Sequence, residues 1–134
     1  MIKDAVSPLE PRYEDLAGDG FGRKARRHFL ATRPKFLTAS VLPVLVGTAW
    51  GATLAGGLQA GVAVLALLAT ALVHCASNVI NDVGDDITGT DRDNVDYIHP
   101  YTGGSRFITN GIMSVQEMHR WGWILIGMAS VLGL

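Results

Sequence analysis

The sequence predicts an all-α fold, a multi-span transmembrane helical bundle, and two observations carry that prediction. Residues 36–81 form a block of 46 residues without Asp, Glu, Lys or Arg, whereas a membrane-spanning helix needs only about 20 apolar residues. Charged residues make up 17 % of the chain, below the roughly 25 % typical of soluble proteins. The uncharged block therefore accommodates two spans and a turn, and about three helices are expected, the third truncated.

Residues 1–27 are predicted to be a flexible polar arm, and residues 28–134 the N-terminal part of a membrane domain. No apolar core follows the start, so the arm is not expected to be a secretory signal. A basic cluster ends the arm and leads into the first span: Arg23, Lys24, Arg26, Arg27, Arg33 and Lys35. It is either a solvated flank or an anchor beside anionic lipids that keeps the N-terminus cytoplasmic.

The first span is expected from Phe36 to Leu54, with an internal proline of the kind that membrane helices tolerate. The second runs from Leu58 to Asn78 or beyond, and its many small residues favour close helix packing. Two crossings would return the chain to the cytoplasmic face of an inner membrane at Asn78. The single cysteine, Cys75, excludes an intrachain disulfide and is interpreted as a packing residue.

A set of acidic and amide residues closes the second span. Asn78, Asp82 and Asp86 are spaced i, i+4, i+8 and share one helix face, with Asn81 and Asp85 on its flanks. Stacked carboxylates repel one another unless a cation lies between them. Magnesium takes oxygen ligands, commonly one or two carboxylates plus substrate phosphates. The pattern predicts a magnesium–diphosphate site; the alternative is a solvated loop whose carboxylates face water.

Residues 87–118 form a polar segment that contains a second phosphate-binding candidate. His99–Arg106 is a glycine-containing turn, and backbone N–H groups with an arginine suit phosphate oxygens, although an ordinary loop has the same composition. Ser114 and Glu117 have the spacing of a capping box. They predict the start of a third helix, which continues into about 14 apolar residues, fewer than a crossing needs.

These residues resemble a known family, the UbiA superfamily of intramembrane prenyltransferases. The pattern Asn78-x-x-Asn81-Asp82-x-x-Asp85 followed by Gly89-x-Asp91 is similar to its first aspartate-rich motif. The likeness is to the 1,4-dihydroxy-2-naphthoate polyprenyltransferases of menaquinone biosynthesis, and it covers about residues 30–134. Two further segments look like that branch, residues 33–47 and 111–118.

The resemblance implies an enzyme that moves a polyprenyl group from its diphosphate to an aromatic acceptor, 1,4-dihydroxy-2-naphthoate in this branch. Magnesium (Mg2+) would act as Lewis acid and template. By carry-over, the metal and catalytic residues would be Asp82, Asp86 and Asp85. The same carry-over makes the substrate-binding residues Asn78, Asn81, Arg106 and Asp91. The partners implied are the polyprenyl diphosphate donor, the aromatic acceptor and the lipid bilayer; a net charge of −1 does not favour nucleic acid.

Several alternatives remain open at the level of sequence. The family's second aspartate-rich motif is absent from these residues, so the chain is either a fragment or a non-catalytic subunit that needs a partner. His74, inside the second span, is either a base for the acceptor or a structural histidine. A calcium loop starting at Asp91 fails, because Asp96 stands where glycine is required and Thr102 where glutamate is required. The Asp-Gly-x-x-Ala-Arg start of CDP-alcohol phosphotransferases is also absent.

Overall fold

Helices make up all the regular structure in the described part of the chain. The structure is a computed structural model that describes residues 9–133. It is 70 % helical, with no strand among those residues. The elements are α1 (Tyr13–Leu16), α2 (Phe21–Ala31), a 3₁₀ turn (Pro34–Phe36), α3 (Leu37–Leu54), α4 (Ala60–Thr88), α5 (Thr90–Asp93) and α6 (Val115–Gly133). The predicted all-α class is therefore confirmed.

Two helices have the length and apolarity of membrane spans. They are Pro34–Leu54, which includes the 3₁₀ turn and α3, and Ala60–Thr88, which is α4. No residue of α3 is buried, and large side chains such as Leu42, Val46 and Trp50 are exposed along it. A contiguous apolar surface of this kind does not suit water. The chain is a membrane protein, as the sequence predicts.

The second span extends further than its apolar residues alone indicate. Helix α4 continues for ten residues past Asn78 and ends at Thr88. Gly89 follows with φ 81°, the left-handed conformation in which glycine commonly ends a helix. The whole acidic motif is therefore helical, and the expected i, i+4, i+8 register is present.

The core lies between α4, α6 and the segment that joins them. Met118 of α6 and Val79 of α4 are fully buried side chains, and Phe107 and Met113 of the connecting segment belong to the same cluster. A Cβ atom at Gly122 would lie 2.5 Å from Cδ1 of Ile80. Glycine thus permits the close approach of α4 and α6.

One of the two hydrogen bonds of the predicted capping box is present at the start of α6. The Glu117 N–H donates to Oγ of Ser114 at 3.1 Å, so the predicted N-cap is confirmed. The Glu117 carboxylate, however, accepts from Arg27, at 3.0 Å from Nη2 and 3.3 Å from Nε. The charge of the Arg27 guanidinium makes this a stronger contact than the return bond of a capping box.

The N-terminal segment is packed where the sequence predicts a flexible arm. Helix α2 crosses the expected boundary at residue 27, and Leu16 and Ala31 are part of the buried cluster. Long-range contacts such as the Arg27–Glu117 ion pair hold residues 9–31 against the rest of the fold. Residues 1–8 of the predicted arm lie outside the described residues, and the division into arm and domain stays a prediction.

Candidate metal–diphosphate site

Three carboxylates are buried where α4 ends and α5 begins. Asp82 is 3 % exposed, and Asp86 and Asp91 are each 6 % exposed. The left-handed turn at Gly89 reverses the chain after α4, so α5 carries Asp91 back toward the inner face of α4. Within one continuous helix, Asp82 and Asp91 would lie on different faces. The reversal brings these two predicted site residues together.

The glycine-containing turn closes over these carboxylates. A Cβ atom at Gly104 would lie 2.6 Å from Oδ2 of Asp91 and 2.9 Å from Oδ1 of Asp82. The Ser105 N–H points at both Asp82 oxygens, at 3.2 Å from each. Hydrogen bonds from a backbone amide hold the Asp82 carboxylate in a fixed orientation. The two carboxylates therefore face the same small space beside the Gly104 backbone.

The other two predicted carboxylates already have protein partners. Oδ1 of Asp86 accepts from Nη2 of Arg92 at 2.9 Å. Oδ2 of Asp85 accepts from Nδ2 of Asn81 at 2.7 Å, in a half-exposed pair on the flank of α4. Asp85 and Asn81 thus lie beside the buried pair without joining it.

The two buried carboxylates suit a magnesium ion that takes only one or two of its ligands from the protein. Within residues 9–133, no group of three or more His, Cys, Asp or Glu side chains is arranged to hold a metal ion. Asp82 and Asp91 nevertheless supply two buried carboxylates with a shared approach at Gly104. Magnesium often binds through one or two carboxylates and completes its shell with water and phosphate oxygens.

Burial and neighbouring charges of both signs set the pKa of the Asp91 carboxyl. Burial raises the pKa of the Asp91 carboxyl, and the neighbouring Asp85 carboxylate raises it further. The Arg106 guanidinium opposes that rise, while its Nη1 donates to the Asp91 carbonyl oxygen at 2.6 Å. A cation bound between the carboxylates would lower this pKa, because it favours the ionised form.

Arg106 has an unusual backbone conformation, and its guanidinium lies over an aromatic ring. Its φ is 63°, and its guanidinium carbon lies 4.0 Å from the centroid of the Tyr97 ring. Its Nε is buried with no hydrogen-bond partner among the described residues, 4.0 Å from Oε1 of Glu10. Arg106 therefore lies next to Asp91, and its role as a diphosphate contact stays a prediction.

Glu10 is a buried residue that sequence reasoning missed. Its carboxylate accepts from the Tyr97 hydroxyl at 2.8 Å and from Nδ2 of Asn110 at 3.0 Å. Burial, followed by the hydrogen bond to Glu10, raises the pKa of Tyr97. Partners about 90 residues away give no local signal, so a glutamate in a polar segment does not stand out in the sequence.

Replacing Glu10 with alanine is expected to loosen the N-terminal segment. The half-buried Tyr97 hydroxyl would lose its acceptor, whereas Nδ2 of Asn110 would keep the Pro11 carbonyl oxygen. At about 1 kcal/mol for such a bond, tryptic cleavage at Arg12 should become several-fold faster. Limited proteolysis of the purified protein measures this rate. Glu14→Ala is the matched control, since Glu14 is exposed; equal rates for the two variants would contradict the role of Glu10.

Asn78 does not join the buried carboxylates in this structure. Its Nδ2 donates to the Thr32 carbonyl oxygen at 3.0 Å and to Nε2 of His74 at 3.0 Å. Nδ1 of His74 in turn lies 2.8 Å from Oγ of Ser40. Both ring nitrogens of His74 are thus engaged, which favours the structural interpretation of this histidine over that of a base.

The fold and the site together define a class of protein: a helical membrane protein with paired buried carboxylates at the end of a span. Comparison with known proteins extends this description. The chain is 36 % identical over 110 residues to a 1,4-dihydroxy-2-naphthoate octaprenyltransferase of Haemophilus influenzae, covering 81 % of this chain and 33 % of that protein. The protein of the same name from Escherichia coli is 35 % identical over 102 residues, covering 76 % and 31 %.

A more distant relative has a broader name. The UbiA prenyltransferase domain-containing protein 1 of Xenopus tropicalis is 30 % identical over 105 residues, covering 78 % of this chain and 28 % of that protein. No family model and no solved structure matches. The chain is therefore a homologue of UbiA-type prenyltransferases, and the predicted resemblance is confirmed. It spans about a third of the length of the curated relatives it matches.

Proposed function

We propose that this chain is part of an intramembrane prenyltransferase that moves a polyprenyl group from its diphosphate to 1,4-dihydroxy-2-naphthoate in menaquinone biosynthesis. The observation that carries the proposal is the convergence of the buried Asp82 and Asp91 carboxylates beside the Gly104 backbone. The names of two relatives support the acceptor. The basic residues before α3 support an inner-membrane location with the acidic motif on the cytoplasmic side.

Asp82 and Asp91 would hold magnesium, and Asp85 and Asp86, one helical turn further along α4, would add negative charge near it. When bound, magnesium neutralises the diphosphate and makes it a better leaving group. The Ser105 N–H keeps the Asp82 carboxylate oriented. Arg106 fixes the α5 backbone at Asp91, and its guanidinium would add positive charge beside a bound diphosphate. The exposed apolar faces of α3 and α4 would leave the polyprenyl tail in a water-poor environment.

A second function is kept because one observation favours it. The described residues hold two converging carboxylates but no group of three metal-ligating side chains. A non-catalytic membrane subunit, or a fragment that needs a partner for the second aspartate motif, would have such an incomplete site. The test must therefore use the complete protein.

Transfer activity in membranes containing the complete protein tests both proposals. With magnesium, polyprenyl diphosphate and 1,4-dihydroxy-2-naphthoate, prenylated product is expected; chelation with EDTA should abolish it, and added magnesium should restore it. A hydroxybenzoate serves as control acceptor. Product formation that survives chelation would contradict the metal site. No product from either acceptor would contradict the enzyme and favour the non-catalytic subunit.

The raised pKa of Asp91 predicts a pH dependence of magnesium binding. Because burial raises this pKa, Asp91 stays protonated to a higher pH than an ordinary carboxyl, and a proton competes with the metal. The apparent magnesium affinity should therefore weaken as the pH falls into the range of the raised pKa. Titration of the purified protein with magnesium at a series of pH values measures this. An affinity that stays constant across acidic pH would contradict a role for Asp91 as ligand.

A further inference from the structure

Helix α2 carries an apolar stripe that nothing in the described part of the chain covers. Phe21, Ala25 and Phe29 are spaced i, i+4, i+8 and therefore lie on one face. Phe21 is 89 % exposed and Phe29 60 % exposed, and Ala25 between them is exposed as well. Two exposed phenylalanines on one helix face mark a surface for an apolar partner.

The opposite face of α2 is fixed to the fold, so the stripe cannot turn inward. Nη2 of Arg27 donates to Glu117 at 3.0 Å, and Nη1 donates to the Gly18 carbonyl oxygen at 3.0 Å. Nε1 of Trp121 donates to the His28 carbonyl oxygen at 3.1 Å, and Ala31 is fully buried. These contacts from α6 set the rotation of α2 about its own axis.

Cations flank the stripe on both sides. At 100° per residue, Lys24 falls about 60° to one side of Phe21 and Arg26 about 60° to the other side of Phe29. Both are exposed, and α2 contains no Asp or Glu. Nζ of Lys24 lies 3.5 Å from Oδ1 of Asp19, a fully exposed carboxylate that precedes α2; a surface pair of this kind is weak, so Lys24 can exchange it for a phosphate. A partner that covers the stripe must therefore accept positive charge along both of its edges.

The position of α2 in the chain adds a constraint on that partner. Only Thr32 and Arg33 separate α2 from the 3₁₀ turn that leads directly into α3, the first membrane span. Arg33 has φ 54°, so the chain turns sharply there. Phe29, at one end of the stripe, thus lies five residues before Pro34, where the first span begins.

We propose that α2 lies in the headgroup region of the leaflet that α3 enters and binds anionic phospholipid. The aromatic stripe would contact the boundary of the acyl chains, and Lys24 and Arg26 would contact the phosphates on either side. Basic amphipathic helices with aromatic residues on the apolar face bind interfaces in this way, and anionic lipids attract basic segments next to a span. A phospholipid surface supplies both the apolar contact and the negative charge that the two edges require.

Spin labels on the complete protein in vesicles test the depth of α2. In a background whose native cysteines, Cys75 among them, are replaced by alanine, nitroxides are attached at Ala25→Cys and, as control, at Asp19→Cys. Asp19 precedes α2, and its side chain is fully exposed. In vesicles of phosphatidylcholine with phosphatidylglycerol, the label at 25 should collide several-fold more with oxygen than with a water-soluble nickel chelate. The label at 19 should show the reverse.

Two results at position 25 would overturn the proposal. A label that collides mainly with the nickel chelate would place α2 in water. A label immobilised and shielded from both reagents would show that another part of the protein or a second copy covers the stripe. Circular dichroism of each labelled protein confirms that it is folded before these results are compared.

The charge requirement is tested separately with the double variant Lys24→Gln and Arg26→Gln. With the native cations, the ratio of oxygen to nickel collisions at position 25 should rise several-fold when phosphatidylglycerol is added to phosphatidylcholine vesicles. In the double variant that rise should be lost, while the ratio in pure phosphatidylcholine stays the same. An equal rise in both proteins would overturn the assignment of anionic lipid.

Discussion

Replacing Asp82 with asparagine is expected to reduce magnesium-dependent transfer by the complete protein by about 100-fold or more. Loss of an outer-shell partner alone costs roughly 10–100-fold in metal affinity or activity, and Asp82 would be a direct ligand. The asparagine keeps the size of the side chain and can still accept from the Ser105 N–H, so the fold should survive. Removal of the negative charge should weaken magnesium binding itself.

Asp96→Asn is the matched control for this change. Asp96 lies in the same polar segment and is exposed, so its replacement removes the same charge away from the buried pair. Activity of the two variants is compared over a range of magnesium concentrations, with thermal unfolding to confirm equal stability. If Asp82→Asn and Asp96→Asn keep the same activity, the assignment of Asp82 as a metal ligand is wrong.

Replacing Gly104 with alanine is the second change with a large expected effect. The added Cβ would lie 2.6 Å from Oδ2 of Asp91 and 2.9 Å from Oδ1 of Asp82, in the space proposed for the metal. The backbone at Gly104 also has φ 70°, which costs an alanine roughly 1–2 kcal/mol. We expect the carboxylates to be forced apart, with loss of detectable magnesium binding and a lower unfolding temperature.

Gly111→Ala separates the two effects. Gly111 has φ 68°, so alanine meets nearly the same backbone strain there, but no heavy atom lies within 4 Å of its Cβ position. This control should lower the unfolding temperature while magnesium binding, measured by calorimetry, stays close to that of the parent protein. Equal loss of binding in both variants would show that strain, rather than crowding of Asp82 and Asp91, is responsible.

Local patterns predicted much of this fold because they depend on neighbours in the sequence. The uncharged block predicted two spans, and helical spacing placed Asp82 and Asp86 on one face, where both are buried. The N-cap at Ser114 was equally predictable. Each of these rests on residues within two helical turns of one another, or on a hydropathy signal that needs no partner.

Contacts between distant segments could not be predicted in the same way. The Glu10 carboxylate accepts a hydrogen bond from Tyr97, 87 positions away, and Arg27 donates one to Glu117, 90 positions away. The neighbouring residues in the sequence do not distinguish Glu10 and Arg27 from solvated charges. Asn78 shares a helix face with the acidic residues, but its amide bonds the Thr32 carbonyl, whose position depends on how α2 and α4 meet. Helical periodicity thus predicts the face on which a polar residue lies, but tertiary contacts determine its role.

The absence of buried residues in α3 also bears on which substitutions each helix will tolerate. Within residues 9–133, an exchange of one apolar side chain for another at Val46 or Leu54 leaves no cavity, because these side chains face outward. The same exchange at Val79, which is fully buried against α6, changes the volume of a close-packed interior. Within the described residues, variation along α3 is therefore limited mainly by hydropathy, whereas variation along the inner face of α4 is limited by shape.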